Sequence, residues 1–321
     1  MIIEKITSTQ NKKYKQLLGL HQKKNRIKEQ LFIIEGQKEI KYALRAKYDF
    51  RSIWTIPDKR GAVGQIAEQA DCSCFEISQQ MFAKIGYREK TEGILAIAKM
   101  RLEERFRLDN IDLYKNQKHL FIICDGVQKP GNIGAIIRIA DGVGAAGIIV
   151  LDSGFDIYNP NILRNSVGTF FVMPIYVSTH KFCQKWIAKN EVKLVIADPN
   201  AEMNYSDIDF QGSCAIVVGN EHSGVSQNWE QENNIKVKIP MNGTNDSLNV
   251  SVSTGIIAYE WLRKQQKGFI TIITLVMLTI FSSALLYKLE FFIVQSQQNK
   301  MLKQYIEQIV EEHNKQQKNV Y

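Results

Sequence analysis

The sequence predicts an α/β protein with a parallel sheet in its second half, and three observations predict it. Short apolar runs alternate with helical patterns through residues 1–266, and strands buried on both faces of a parallel sheet read as such continuous apolar runs. Polar loops follow several of those runs, at the strand ends where sheets of this kind bind their ligands. From Gly268 onward the composition changes to an apolar stretch and then a polar one with helical spacing, which predicts a C-terminal helical tail.

Residues 1–107 read as a small α/β domain carrying a basic N-terminal arm. Residues 1–30 hold Lys5, Lys12, Lys13, Lys15, Lys23, Lys24, Arg26 and Lys28 against Glu4 and Glu29, so +6 of the net +8 sits there. A basic arm of that kind suits a nucleic acid, as would a solvated helix face. FIIEGQKEIKYAL (32–44) reads as a strand, a tight Glu-Gly turn and a helix with Ile40, Ala43 and Leu44 on one side. RSIWTIP, GQIAEQA, CFEIS, QQMFAKI and ILAIAKM continue the strand and helix alternation. RLEERFRLDN (101–110) is charged, has no strand pattern, and reads as a linker.

Residues 116–266 form the second domain. HLFIICDG, IIVLD, FVMPIYV, VKLVIAD, CAIVVGNE and VKIPM read as strands, and NIGAIIRIADG, NPNILRNSVG, a segment near 180–190 and SLNVSVSTGIIAYEWLRK as helices. Within it, GVGAAG (142–147) matches the dinucleotide fingerprint G-x-G-x-x-G, which works only where a strand enters the glycines and a helix leaves them. Here Ile133, Ile136, Ile137 and Ala140 place a helix before the glycines and IIVLD a strand after, so the glycines stop a helix. A nucleotide-dependent oxidoreductase is excluded on that context.

Residues 268–321 form the tail. FITIITLVMLTIFSSALLY (269–287) is uncharged over 19 residues, near the length of a membrane-spanning helix. Arg263, Lys264 and Lys267 precede it and only Lys288 follows closely, which keeps the body on the cytoplasmic face if the segment inserts. A buried or interfacial helix is the alternative, since five Ser or Thr residues dilute the run. Beyond it, Leu302, Tyr305, Ile306, Ile309 and Val310 share a helical stripe able to pair with another helix. Cys72, Cys74, Cys124, Cys183 and Cys214 are odd in number and lack zinc-ligand spacing, which points to free thiols, a reducing compartment and no metal.

Three loops carry the chemistry: KPGNIGAIIR (129–138), VVGNEHSGVS (217–226) and IPMNGTNDSLNVSVSTG (239–255). They gather Asn132, Arg138, Asn220, Glu221, Ser247 and Asn249 at one end of the sheet. Helix capping accounts for Asn132 and Ser247. It does not account for Arg138 inside an apolar helix, nor for Glu221 just after a buried strand.

In order, PGNIGAIIRIADGVGAAG, NSVGTFFVMP (165–174), VVGNEHSGVS and IPMNGTNDSLNVSVSTGIIAYEWLR resemble the motifs of the SpoU family of RNA ribose methyltransferases, in the SPOUT superfamily. FIIEGQKEIKYAL resembles the family's L30e-like substrate-binding domain, so the likeness covers most of residues 1–263. The resemblance implies a trefoil-knotted methyltransferase domain, a homodimer, and S-adenosylmethionine held at the positions of Gly219, Ile239 and Leu248. It implies methyl transfer to a ribose 2′-hydroxyl of structured RNA, 23S rRNA above all with tRNA as the alternative, and no metal. Arg138 matches the family's essential arginine, acting on the 2′-hydroxyl or on phosphate. Asn132 and Glu221 match residues that shape the site, with Glu221 orienting Arg138. Ser247 and Asn249 match the third motif, where they contact the target nucleotide or brace the knot. His222, Ser223 and the pair Ser253-Thr254 depart from the usual pattern, and the apolar tail has no counterpart in it. A membrane-tethered RNA-binding protein without turnover is the reading of another class; the intact Asn132, Arg138, Glu221 and Asn249 oppose it.

Overall fold

The computed structural model describes residues 3–87, 91–101, 108, 117–151, 156–229 and 234–318. The charged segment 101–110 lies outside the described residues except for Arg101 and the buried Leu108.

The N-terminal part begins with strand β1 (Ile3–Lys5), then the basic arm forms two short helices, α1 (Lys12–Gly19) and α2 (Lys23–Glu29). Gln30 in the left-handed conformation ends α2 and turns the chain directly into β2 (Leu31–Glu35). There follow α3 (Gln37–Arg45), β3 (Phe50–Thr55), α4 (Arg60–Ala70), β4 (Ser73–Glu76), α5 (Gln79–Ala83) and β5 (Ile94–Lys99). The five strands form a mixed sheet in the order β1-β4-β3-β5-β2. β1 was not legible because only three residues of IEK pair, all parallel to β4.

The second sheet is parallel throughout, in the order β10-β12-β9-β11-β6-β7-β8. Its strands are β6 (Leu120–Asp125), β7 (Gly147–Leu151), β8 (Ile175–Ser178), β9 (Lys193–Ala197), β10 (Met203–Asn204), β11 (Cys214–Val218) and β12 (Ile235–Lys238). Helices α6 (Pro130–Val143), α7 (Pro160–Ser166) and α8 (His180–Lys189) connect them, and α9 starts at Val250 and ends at Lys318. Side chains alternate across the sheet: Ile122, Cys124, Ile148, Val150 and Ile216 enter one core, and Phe121, Ile123, Ile149, Leu151 and Val217 the other. Both faces are therefore covered, as the continuous apolar runs require. The glycines of GVGAAG do end α6, with Gly144 as its left-handed cap at φ 68°.

One core unites the two sheets' domains. Phe32 and Tyr48 pack on Phe171, Phe32 also meets Tyr158, and the Tyr158 hydroxyl accepts the N–H of Arg101 at 2.8 Å. β6 is the position where the chain reverses its direction of travel through the sheet, with β7 on one side and β11 on the other. The loops after β6 and β11 are thus neighbours at a topological switch point, where such sheets bind ligands.

Residues Arg263–Tyr321 form a separate unit within the C-terminal helix. Among the described residues it contains one segment long and apolar enough to cross a membrane, Thr274–Gln304, with mean hydropathy 1.6 and large side chains such as Leu275, Phe281 and Leu285 exposed. That segment runs further toward the C-terminus than the expected 269–287. Leu302 and Ile306 of the C-terminal apolar stripe are also exposed, while the side chains of Tyr305, Ile309 and Val310 lie outside the described residues.

Candidate active site

Four segments meet at the carboxyl ends of β6, β9, β11 and β12 around a cavity of about 410 Å³. That is the size of a small-molecule site. Val218, Ile239, Leu248, Val250 and Ile257 supply its apolar wall, and Lys129, Asp198, Glu221 and Asp246 its charged groups. Three carboxylates against one ammonium suit a ligand that is apolar in part and positively charged. The cofactor residues expected from the sequence, Gly219, Ile239 and Leu248, all line this cavity.

Gly219 is there for close approach of backbone to backbone. A β-carbon at that position would sit 2.2 Å from the Gly224 carbonyl carbon and 2.3 Å from the Val225 nitrogen, so the loop closes only on a residue without one. Replacing Gly219 by alanine is expected to cost about 1–3 kcal/mol of stability, the usual cost of overpacking, and to open the cavity wall. Urea unfolding and a ligand-binding titration on the same sample check both effects.

A hydrogen-bond chain ties the three loops together. Asn249 Nδ2 donates to Asn132 Oδ1 at 3.2 Å, Asn132 Nδ2 donates to Glu221 Oε1 at 2.6 Å, and the Gln128 N–H reaches Glu221 Oε2 at 3.4 Å. Burial works to raise the Glu221 pKa. The backbone N–H groups of Glu221, Gln128 and Lys129 and the Asn132 amide overcome that and hold its carboxyl below the usual range. Glu221 is therefore an anion at neutral pH, an acceptor that fixes the neighbouring loop.

The capping assignments change. Lys129 is the residue that opens α6, with Pro130 in the first turn, and the Asn132 side chain is committed to the Glu221 chain instead of a cap. The cap of α9 is Asn249, whose Oδ1 accepts the Ser251 N–H at 2.9 Å and whose carbonyl accepts the Ser253 N–H at 3.0 Å. Ser247 instead lines the cavity.

Arg138 is the site residue that the structure does not bring in. It is exposed, does not line the cavity, and stands six residues along α6 from Asn132, about 9 Å of rise and two-thirds of a turn out of phase. Within one copy of the chain the Glu221 carboxylate accepts from the Asn132 amide at 2.6 Å and is not paired with Arg138. Nor does Arg26 belong to the exposed basic arm. It is buried and paired with Asp156, while Lys12, Lys13, Lys15, Lys23, Lys24 and Lys28 are exposed.

The thiols offer no chemistry. All five cysteines are free, and burial pushes Cys124, Cys183 and Cys214 up to about 12 and Cys72 to about 11, so they stay protonated at neutral pH. Among the described residues no cluster of His, Cys, Asp or Glu could hold a metal ion. Asp198 and Asp246, both on the cavity, were missed because isolated acidic loop residues carry no pattern in the sequence.

With that geometry in view, comparison with known proteins is specific. The SpoU rRNA Methylase family profile matches residues 119–259, and the MRM3-like substrate binding domain profile matches residues 11–96. The chain is 32% identical to an RNA 2′-O ribose methyltransferase of known crystal structure, covering 82% of this chain and 99% of that one with a TM-score of 0.71. It is similar to the AdoMet-bound rRNA methyltransferase from Sinorhizobium meliloti, at 26% identity, 82% and 98% coverage and a TM-score of 0.73. It is 28% identical over 257 residues to the 23S rRNA (guanosine(2553)-2′-O)-methyltransferase RlmP of Bacillus subtilis (strain 168), covering 80% of this chain and 98% of the relative.

Proposed function

The chain belongs to the SpoU family of rRNA methylases, and from that membership we propose that it transfers a methyl group from S-adenosylmethionine to a ribose 2′-hydroxyl of structured RNA, with 23S rRNA as the substrate. The observation that carries this reading is the cavity at the ends of β6, β9, β11 and β12, walled by Gly219, Ile239 and Leu248 and edged by the Asn249–Asn132–Glu221 chain. Its donor set fits the co-substrate: Ile239 and Leu248 offer apolar faces to an adenine, and the carboxylates offset a sulfonium charge. S-adenosylmethionine supplies an already activated methyl group. The protein's own work is alignment for in-line attack and stabilisation of the hydroxyl as it loses its proton.

The chain's residues divide that work. Glu221, held anionic, fixes Asn132, which fixes Asn249, so the loops that form the cavity share one register. Arg138 acts as a cation toward RNA phosphate or the developing alkoxide, since its planar guanidinium suits an anionic oxygen. Its exposed position is consistent with completion of the site by a second copy. Val252 and Tyr259, seven residues apart on one face of α9, are 49% and 52% exposed, and Tyr259 Oη lies beside Gly142 of α6. This α6/α9 face supports a homodimer, and the trefoil threading belongs to the same proposal. The exposed lysines of α1 and α2 grip RNA, and Thr274–Gln304 holds the enzyme to the cytoplasmic face of a membrane.

The test is tritiated-methyl transfer to ribosomal and transfer RNA from cells lacking the gene, with thermal unfolding alongside. Label at a single alkali-resistant ribose of 23S rRNA is expected. S-adenosylmethionine at a hundredfold excess over its Kd adds about 2.7 kcal/mol to the stability, and NAD adds nothing. Stabilisation by NAD alone, or label confined to tRNA, sinks the reading or its substrate.

A further inference from the structure

Outside the cavity, on the far side of the loop that carries Gly219 and Glu221, lies a buried polar cluster that the chemistry above does not use. Asp125, the last residue of β6 and 3% exposed, places Oδ2 2.8 Å from the Ser226 N–H and 3.0 Å from Trp229 Nε1. Its Oδ1 meets His180 Nε2 at 2.8 Å, and the Ser226 hydroxyl meets the same nitrogen at 3.1 Å. An Asp, a His and a Ser in contact invite comparison with a nucleophilic relay. Such a relay needs its acid and its nucleophile on opposite nitrogens of the imidazole, and here both approach Nε2. The cluster is therefore a structural device.

What it holds is the segment 219–229. That segment leaves β11 at the cavity wall and is turned back by a reciprocal backbone pair, the Asn220 N–H to the Gly224 carbonyl at 2.9 Å and the reverse at 3.0 Å. Its near end is clasped by the residue after β6, since Asn220 Nδ2 donates to the Gly126 carbonyl at 3.0 Å. Its far end is clasped by Asp125 through Ser226 and the buried indole of Trp229. Two adjacent residues, Asp125 and Gly126, thus grip both ends of the loop. A charged acceptor taking two N–H donors in a buried place is among the stronger tethers a side chain can make.

We infer that Asp125 is a positioning residue for co-substrate binding, acting through Ser226 and Trp229 to hold the Gly219–Glu221 wall of the cavity. This rests on the proposed methyl-transfer reading of that cavity. It follows that loss of the carboxylate loosens the wall before it touches the RNA side.

The full-length enzyme is compared with Asp125→Ala, Asp125→Asn and Trp229→Phe. The asparagine amide keeps an oxygen for Ser226 and Trp229 and turns its Nδ2 to His180 Nε2, which accepts when the ring proton is on Nδ1. The expected result is that Asp125→Ala raises the KM for S-adenosylmethionine about tenfold, with the KM for RNA unchanged, while Asp125→Asn stays within about threefold of wild type. Trp229→Phe, which removes one donor and keeps the ring, falls between and stands in if Asp125→Ala does not fold. Hydrogen exchange supplies a readout independent of turnover: amides of 219–229 should exchange faster in the alanine variant while those of β7 do not. Unchanged KM for S-adenosylmethionine in folded Asp125→Ala and in Trp229→Phe overturns the inference. Wild type that neither binds S-adenosylmethionine nor transfers methyl defeats the functional reading instead, and the exchange pattern still decides whether Asp125 holds the loop.

Discussion

Arg138→Ala is expected to lower methyl transfer by about 10²- to 10³-fold, the scale on which loss of one preorganised charge-stabilising group slows a reaction, with S-adenosylmethionine affinity unchanged. The split follows from position. Arg138 is exposed on α6 and contributes nothing to the cavity wall, so ligand binding there does not depend on it. In the homodimer proposed above, Arg138 meets its substrate on a surface completed by the second copy, at the exposed α6/α9 face with Val252 and Tyr259. Mixed dimers decide this. If Arg138 of one copy serves the cavity of the other, mixing equal amounts of Arg138→Ala and Leu248→Glu subunits, each inactive alone, restores about a quarter of the wild-type rate, since half the dimers are mixed and each has one whole site. No recovery on mixing means that Arg138 serves its own cavity and that the shared site is wrong. Arg138→Lys separates charge from geometry: a point charge keeps part of the rate, whereas a bidentate phosphate contact is lost with the guanidinium.

How much of this could be seen in the residues alone depends on the kind of interaction. The strands of the parallel sheet were legible because burial on both faces demands unbroken apolar runs such as LFIIC and CAIVV. GVGAAG could be dismissed as a nucleotide site from the order of helix and strand around it, and Gly144 takes the helix-stop conformation. The association of Asn132 with Glu221 was not legible as a hydrogen bond, because 89 residues separate them and only the sheet's reversal at β6 makes their loops adjacent. Asn132 and Ser247 read as caps, since Asn and Ser cap helices well. Only the three-dimensional arrangement shows that Asn249 caps while Asn132 spends its amide on two other loops. Asp125 carried a signal that went unused: an acidic residue at the end of a fully apolar strand is rarely buried without partners. Its partners Ser226 and Trp229 lie 101 and 104 residues away, and nothing in their spacing announces them.

The same distance in sequence hides the contact with the largest expected effect on stability. Arg26 appeared as one more cation of a basic arm, yet its side chain is 3% exposed and meets Asp156, 7% exposed, through Nη2 at 2.6 Å and Nε at 2.8 Å. Nη1 donates to the carbonyls of Leu20 and His21, both at 2.7 Å. The guanidinium therefore closes the α1–α2 turn and joins it to the chain just before α7. Asp156→Ala leaves that guanidinium buried with its carbonyl partners but without a counter-charge, and is expected to cost about 3–5 kcal/mol. Replacing both partners by apolar residues of similar size, Arg26→Met with Asp156→Leu, should cost much less, because no charge then remains to be desolvated. The midpoint of urea unfolding reads both. A loss for the double variant as large as for Asp156→Ala would mean that the pair contributes through the backbone carbonyls it satisfies and not through its charges. The functional consequence is separate and measurable. Lys12, Lys13, Lys15, Lys23, Lys24 and Lys28 ride on α1 and α2, and the pair fixes those helices to the domain that holds the cavity. A folded but loosened Asp156→Ala enzyme should thus show a raised KM for RNA with its affinity for S-adenosylmethionine intact, the reverse of the pattern expected when Asp125 is lost.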